Sequence, residues 1–272
     1  MTKLVSFDLE IAKELPDKQC SSCLSENIAI SGKEAMCGNC GKIGSIYDFR
    51  SDWKNHRPLG ITCAASAYQR ATGIEYFYWH MPDRINQKTA QSMVKDLQRM
   101  TNDEGFSIVG WNSCAFDFDV LAEESGLYNE CAELALNHID LMFVVTTLRG
   151  HWLGLDKAAK GANIQGKLKS VMLSNGQILN DMSGGKAPAL WKAGEYQAVL
   201  DYLADDVRST LELAQWIETN KKIQWTSDKG YHQEFDVPKL YTVRECLELS
   251  RDTVPKWVTE PIKLKSMMEW IK

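Results

Sequence analysis

Three short stretches of this sequence put acidic side chains where they could share a divalent cation, and a fourth does the same with sulfur. Asp8 and Glu10 stand two apart in the apolar run Leu4-Val5-Ser6-Phe7-Asp8-Leu9-Glu10-Ile11. Side chains two apart lie on one face of a strand, while Phe7, Leu9 and Ile11 are core-forming. Two like charges held together on a half-buried strand are costly unless a cation lies between them. The blander reading is the solvent face of an edge strand. The second stretch, Gly110-Trp111-Asn112-Ser113-Cys114-Ala115-Phe116-Asp117, follows a short apolar run and opens a helix. An acid at that junction can aim back across the end of a sheet. Alternatively it is a first-turn aspartate favoured by the helix dipole, and Asp119 is a rival position. In the third stretch, Tyr202-Leu203-Ala204-Asp205-Asp206, the tyrosine and the last aspartate are four apart. On a helix they share a face, which sets a phenol beside a carboxylate. Asp201 and Asp205 read as surface, with Asp205 a substitute for Asp206.

The sulfur set is Cys20-Ser21-Ser22-Cys23 and Cys37-Gly38-Asn39-Cys40. Each C-x-x-C lets two thiolates turn onto one ion, and two such pairs complete a tetrahedral structural zinc site with no open position for catalysis. A redox pair explains one C-x-x-C but not two. The thirteen residues between the pairs allow a short hairpin, and Gly41 suits a knuckle whose amides point at the sulfurs. Such a zinc would hold together a segment too short for its own core. Cys63, Cys114, Cys131 and Cys246 lack partners at ligand spacing and read as small buried hydrophobes.

Hydropathy patterning supplies the elements that must position these groups. Strands are expected at 3–11, 60–68, 74–80 and 106–111, helices at 89–100, 116–126 and 195–219, and a part-strand, part-helix segment at 138–148. Residues 152–176 read as a short helix and loops. The last segment, with Pro238, Pro255 and Pro261, is expected to wrap the main domain. Strands first, then strands mixed with helices, favour an α/β or α+β sheet covered by helices.

The composition is that of an ordinary globular chain: 272 residues, 44% hydrophobic and 25% charged. The net charge of −5 argues weakly against simple electrostatic binding of nucleic acid, but a carboxylate-rich site is acidic until metal fills it. Lys157, Lys160, Lys167 and Lys169 form a local basic stretch, for which a solvated lysine face is the preferred reading. No secretory signal pattern opens the sequence and no apolar run is long enough to span a bilayer, so a soluble, cytoplasmic protein is expected, with thiols or metal ligands rather than disulfides among its eight cysteines.

Together and in this order, the acidic stretches resemble the DEDD (DnaQ-like) superfamily of 3′→5′ exonucleases. D-x-E on the first strand resembles its first motif and N-x-x-x-F-D its second. Tyr202-x-x-x-Asp206 resembles the tyrosine form of the third. The likeness is greatest to the proofreading domain of family B DNA polymerases, with Asp140, Leu155 and Trp191-x-x-Gly194 at matching family positions. The resemblance implies an α/β fold, a ribonuclease H-like mixed sheet flanked by helices. It divides the chain into a nuclease domain (1–14 and 53–224), a zinc-ribbon-like insertion (15–52) and a C-terminal extension packed on the main domain (225–272).

The resemblance also implies a phosphodiester hydrolase using two Mg²⁺ or Mn²⁺ ions, besides the structural Zn²⁺. Asp8 would bridge both ions, Glu10 and Asp206 would hold the one that activates water, and Asp117 would support the other. Tyr202 would orient the water and Asn112 would touch substrate. DNA, single-stranded or frayed, is the implied substrate ahead of RNA, and nucleoside 5′-monophosphates the product. A replication, repair or polymerase partner is compatible with this. Lys186 and Lys192 read either as phosphate contacts or as solvated surface, Trp111 and Trp191 either as stacking platforms or as packing. The alternatives are an exoribonuclease, a ribonuclease H-like endonuclease and, from a different class, an inactive zinc-ribbon nucleic-acid-binding module.

Overall fold

The computed structural model describes residues 2–272. In chain order the elements are strand β1 (Leu4–Ile11), strands β2 (Ile28–Ser31), β3 (Glu34–Cys37) and β4 (Ile43–Ser45), and strands β5 (Ile61–Arg70) and β6 (Gly73–His80). There follow helix α1 (Gln87–Asn102), strand β7 (Ser107–Gly110), helices α2 (Asp117–Ser125) and α3 (Tyr128–Asn137), strand β8 (Ile139–Asp140) and helices α4 (Leu141–Arg149) and α5 (Leu155–Gly161). Strands β9 (Ser170–Met172) and β10 (Ile178–Asn180) precede helices α6 (Ala187–Lys192) and α7 (Tyr196–Asn220), and strands β11 (Lys222–Thr226) and β12 (His232–Asp236) precede helix α8 (Val243–Glu248).

The main sheet runs β6-β5-β1-β7-β8. In it β5 runs antiparallel to both its neighbours, β6 and β1, whereas β7 runs parallel to both β1 and β8. The strand carrying Asp8 and Glu10 is therefore central, which removes the edge-strand reading: charges here are flanked by paired backbone on both sides. Alternation then sets the faces. Phe7 packs on Phe118 of α2 at 5.7 Å and on Trp79 at 6.1 Å. Asp8 and Glu10 point the other way, where α7 crosses β1 and β5. Small residues on β5 (Cys63, Ala64, Ala65, Ser66, Ala67) are all buried, so the long helix can lie close to the strand. The apolar face of α7 (Val199, Leu203, Val207, Leu211, Ala214) is buried throughout, as its helical spacing demands.

The insertion between β1 and β5 has its own three-stranded sheet, β2-β3-β4, and a small core of Cys20, Ala35, Cys37 and Phe49 separate from the main one. Helix α3 and the hairpins β9–β10 and β11–β12 are elements that periodicity did not announce. Among the described residues, no helix is long and apolar enough to cross a membrane.

Phe118 joins the α2 face to Phe7 on β1 and to His138, and is fully buried. Phe118→Ala is expected to lower unfolding free energy by about 3–5 kcal/mol, read by denaturant titration; a loss under about 1 kcal/mol would mean that this contact does not anchor the sheet.

Candidate active site

Three elements converge on one end of β1. The Leu9 backbone N–H donates both to Asp8 Oδ1 (3.0 Å) and to Asp117 Oδ1 (3.2 Å), so the first residue of α2 reaches back to the central strand. Asp206 and Tyr202 come from α7 and are both buried. Glu10 is buried on the same side and feels the charges of Asp8 and Asp206. The rivals are accounted for. Asp119 is paired to Arg57, itself stacked on Trp53. Asp205 is no loose surface acid: it accepts from Leu168 N at 2.8 Å and pairs with Arg208.

Gathering these carboxylates out of water disfavours their charges. Burial raises Asp8, with Lys167 pulling the other way. Burial and then the Asp8 charge hold Asp117 well above the usual carboxylate range, and burial, Asp8 and Asp206 do the same to Glu10. Burial raises Asp206 to about 6, held from going further by Lys167.

Lys167 is the site residue that sequence reasoning assigned to a solvated face. Its Nζ donates to Asp206 Oδ2 at 2.5 Å and to Tyr202 Oη at 3.4 Å. Burial works against the ammonium, but Asp206, Tyr202 and Asp8 outweigh it and raise its pKa. Its loop is pinned from two sides, by Asp156 accepting from Lys167 N (3.2 Å) and by Ser209 Oγ donating to Gln165 O (3.2 Å). A Cβ at Gly166 would meet Asp156 Oδ1 and push that carboxylate off the Lys167 amide it holds. The other lysines of the stretch conform to a surface reading: Lys157 and Lys160 are exposed and paired to Asp228 and Asp156, and Lys169 is exposed. Spacing alone offers no signal that separates Lys167 from them, because its burial comes from the loop's anchorage on α5 and α7.

The loop holding Asn112 is fixed by Asp140. That buried carboxylate accepts from Asn112 N and Cys114 N at 2.9 Å each, and caps α4 by accepting from Met142 N and Phe143 N at 3.0 Å each. Asn112 takes a left-handed backbone (φ 68°), and a Cβ at Gly110 would collide with Ser113 Oγ at 1.8 Å. Trp270 of the C-terminal segment donates to Cys114 O at 2.8 Å. Trp111 is half-buried beside a cavity, whereas Trp191 is buried and donates to Met81 O at 3.2 Å, which makes it packing. Lys186 and Lys192 are exposed.

Within the acidic cluster one buried carboxylate oxygen, Asp206 Oδ1, has no hydrogen-bond partner; outside it Asp119 Oδ1 and Glu218 Oε2 also lack one. An orphaned acceptor in an all-oxygen donor set fits a hard divalent cation. The acids are not drawn together as a closed ligand set: among the described residues, only the four cysteines bring three or more ligating atoms within 4.8 Å of one another. In the insertion, Cys20 and Cys40 sulfurs lie 3.6 Å apart and Cys23 and Cys37 3.5 Å apart, compatible with a zinc ribbon. The Cys40 and Asn39 amides outweigh burial and lower Cys37. Although burial raises Cys20, hydrogen bonds from the Ser22 and Cys23 amides bring it down to about 6.

The RNase_H superfamily model matches residues 55–218, more than half of the chain. The chain belongs to the RNase H superfamily. The match takes in Asp117, Tyr202 and Asp206 and begins after the insertion, so β1 with Asp8 and Glu10 lies outside it. A solved structure described as product-bound exonuclease I is similar at 11% identity with a TM-score of 0.31, over 80% of this chain and 44% of that one. This chain thus spans less than half of that protein's length. No curated protein matches.

Two outcomes are expected. Raised carboxylates keep protons in the folded chain that the unfolded chain has lost, so metal-free stability falls as pH rises from about 4 to about 6 through the Asp206 window, by on the order of 2–3 kcal/mol for this group. Denaturation in chelator should therefore show the parent losing stability relative to Asp206→Asn across that window; a constant difference would remove the raised carboxylate. Cys37→Ser should release zinc from purified protein and lower its thermal midpoint by several degrees. Finding no zinc in the parent protein by elemental analysis would end the ribbon assignment.

Proposed function

We propose that this chain is a metal-dependent 3′→5′ exonuclease, with DNA the substrate that its motif resemblance implies. The observation that carries this reading is the cluster itself: half-buried Asp8 and buried Glu10, Asp117 and Asp206, from three separate elements, gathered around Lys167 with one Asp206 oxygen orphaned. A nuclease-type superfamily fold supports it.

Asp8, Glu10, Asp117 and Asp206 would hold two Mg²⁺ or Mn²⁺ ions. Such ions, when bound, lower the pKa of a water and neutralise charge on the scissile phosphate. Tyr202 keeps its proton at neutral pH, since burial and the Asp206 charge push the phenol up, so it acts as a hydrogen-bond donor that orients the water or a phosphate oxygen. Lys167 offers a permanent positive charge at the same place. The water oxygen bonds to phosphorus, the P–O3′ bond breaks, and a nucleoside 5′-monophosphate leaves a chain with a new 3′-hydroxyl. Asn112, clamped by Asp140, borders the substrate cavity. The cysteine cluster holds one Zn²⁺ as a structural support for residues 15–52, and residues 225–272 form an extension of the nuclease domain.

The test is a time course on free and 3′-blocked oligonucleotides, DNA and RNA, with Mg²⁺, Mn²⁺ or chelator. Stepwise, metal-dependent shortening from free 3′ ends is expected, with Asp8→Ala and Asp206→Ala each at least about a hundredfold slower. Cleavage of blocked or circular substrates would make the chain an endonuclease, and preference for RNA an exoribonuclease. Binding without hydrolysis would leave the zinc-ribbon binding module.

A further inference from the structure

Beside the Asn112 loop lies a cavity of about 480 Å³, bordered by Trp53, Trp111, Asn112, Trp152 and Met267. A second, of about 450 Å³, is bordered by His151, Trp152, Lys157 and Trp225. Both are lined by Trp152, Leu153 and Gly154, so the two adjoin along this segment and form a groove with the indole between its two halves. Trp152 is 59% exposed and stacks on no other ring among the described residues. A lone exposed tryptophan is common, but one standing between two cavities, the first bordered by the Asn112 loop that leads into Asp117, is placed to be covered by a ligand.

The chemistry of the walls selects the occupant. Flat aromatic faces take flat rings, and unpaired nucleobases present such faces where a duplex hides them. Lys54 lines the first cavity and Lys157 the second, beside Asp156 and Asp228, and each lysine is in a surface pair (Glu269, 2.9 Å; Asp228, 2.6 Å). Exposed pairs of this kind contribute little, so a phosphate can compete for the ammonium. The groove is also continuous with Asn112, whose backbone is tied through Asp140 to the start of α4 and so to the segment leading into Trp152. Its walls come from the segment after the insertion, the α4–α5 connection, the C-terminal extension and the β11–β12 hairpin.

We propose that this groove binds the nucleotides upstream of the scissile bond in a single-stranded substrate, with Trp152 as the platform on which a base stacks. The proposal rests on the nuclease reading and adds to it a defined single-strand path. It predicts preference for single strands long enough to reach Trp152.

Binding is measured by fluorescence anisotropy with the full chain in chelator, which separates the groove from catalysis. The probes are 5′-labelled single-stranded DNA of about four and about twelve nucleotides, and a blunt duplex. Trp152→Ala should weaken the longer single strand roughly tenfold or more, with the loss growing with length, and Trp152→Phe should recover most of it. Tyr128→Ala, which removes an exposed aromatic (49%) on α3 outside the groove, should bind as the parent does. The proposal is overturned if Trp152→Ala binds as tightly as the parent, if Tyr128→Ala loses as much, or if the duplex binds as well as the single strand; a protein ligand would then be the groove's remaining occupant. The outcomes separate from those of the nuclease reading. Trp152-dependent binding without hydrolysis in Mg²⁺ keeps the groove and removes the nuclease. Hydrolysis with unaltered binding by Trp152→Ala removes the groove alone.

Discussion

Four carboxylates held out of water on one side of a central strand repel one another, and much of this chain is organised to hold them there. Asp8 and Glu10 cannot retreat to solvent, because β1 has a paired neighbour on each edge and α7 across its face. Asp117 is tethered by the same amide that holds Asp8. The only cation in contact with the cluster among the described residues is Lys167, placed by a loop that Asp156, Asp205 and Ser209 pin down. Without external cations the cluster keeps its charge balance by retaining protons and by that lysine. A divalent ion would do the same work more strongly, which is why an arrangement unfavourable for the folded chain alone is favourable as a receptor.

The support around the cluster is polar and buried, and its central carboxylate, Asp140, is satisfied on both oxygens. Asp140 takes four backbone amides and so joins two segments, the Asn112 loop and the start of α4, into one body. His138 packs behind it, kept low by burial against the pull of Asp140. Removing such a carboxylate would leave several buried donors unpaired, the costly direction in which to break a hydrogen bond. Precision at Asn112 and Asp117 therefore depends on a residue that need not touch substrate.

How much of this could be read from the residues differs by element. The long periodic segments were legible: β1 by its alternation, α7 by its apolar stripe, and α2 by its stop at Gly126. The four cysteines announced their cluster because ligand spacing is a local property. What was not legible depends on contacts made far along the chain. Lys167 looks like its neighbours Lys160 and Lys169 until α7 is laid over β1. Trp191, read as packing with stacking the other choice, is settled as packing only when its indole meets the carbonyl of Met81. The hairpins β9–β10 and β11–β12 are short strands that pair only with each other, and outward residues such as Met172 and Ile178 blur their pattern. Helix α3 has a weakly amphipathic sequence whose order comes from packing on α2.

The position of the cysteine insertion follows from the same geometry. It leaves β1 after Ile11 and returns at Ile61, and those two residues are paired across the sheet. Ala12 N donates to Gly60 O at 3.1 Å and Lys13 N to Leu59 O at 3.0 Å, which extends the ladder past the strand ends. A segment whose ends are already held together adds little loop-closure entropy to the domain, and it can keep a separate core around Phe49 and the sulfurs. The exit point is also the end of β1 that carries Glu10, so Lys13 and Leu15 at the root of the insertion border the same cavity of about 200 Å³ as Glu10 and Phe116. On the far side of Phe116, Trp53 at the returning end packs edge-on against it at 5.0 Å. The insertion is thus joined to the nuclease domain at both of its ends around Phe116, one residue before Asp117.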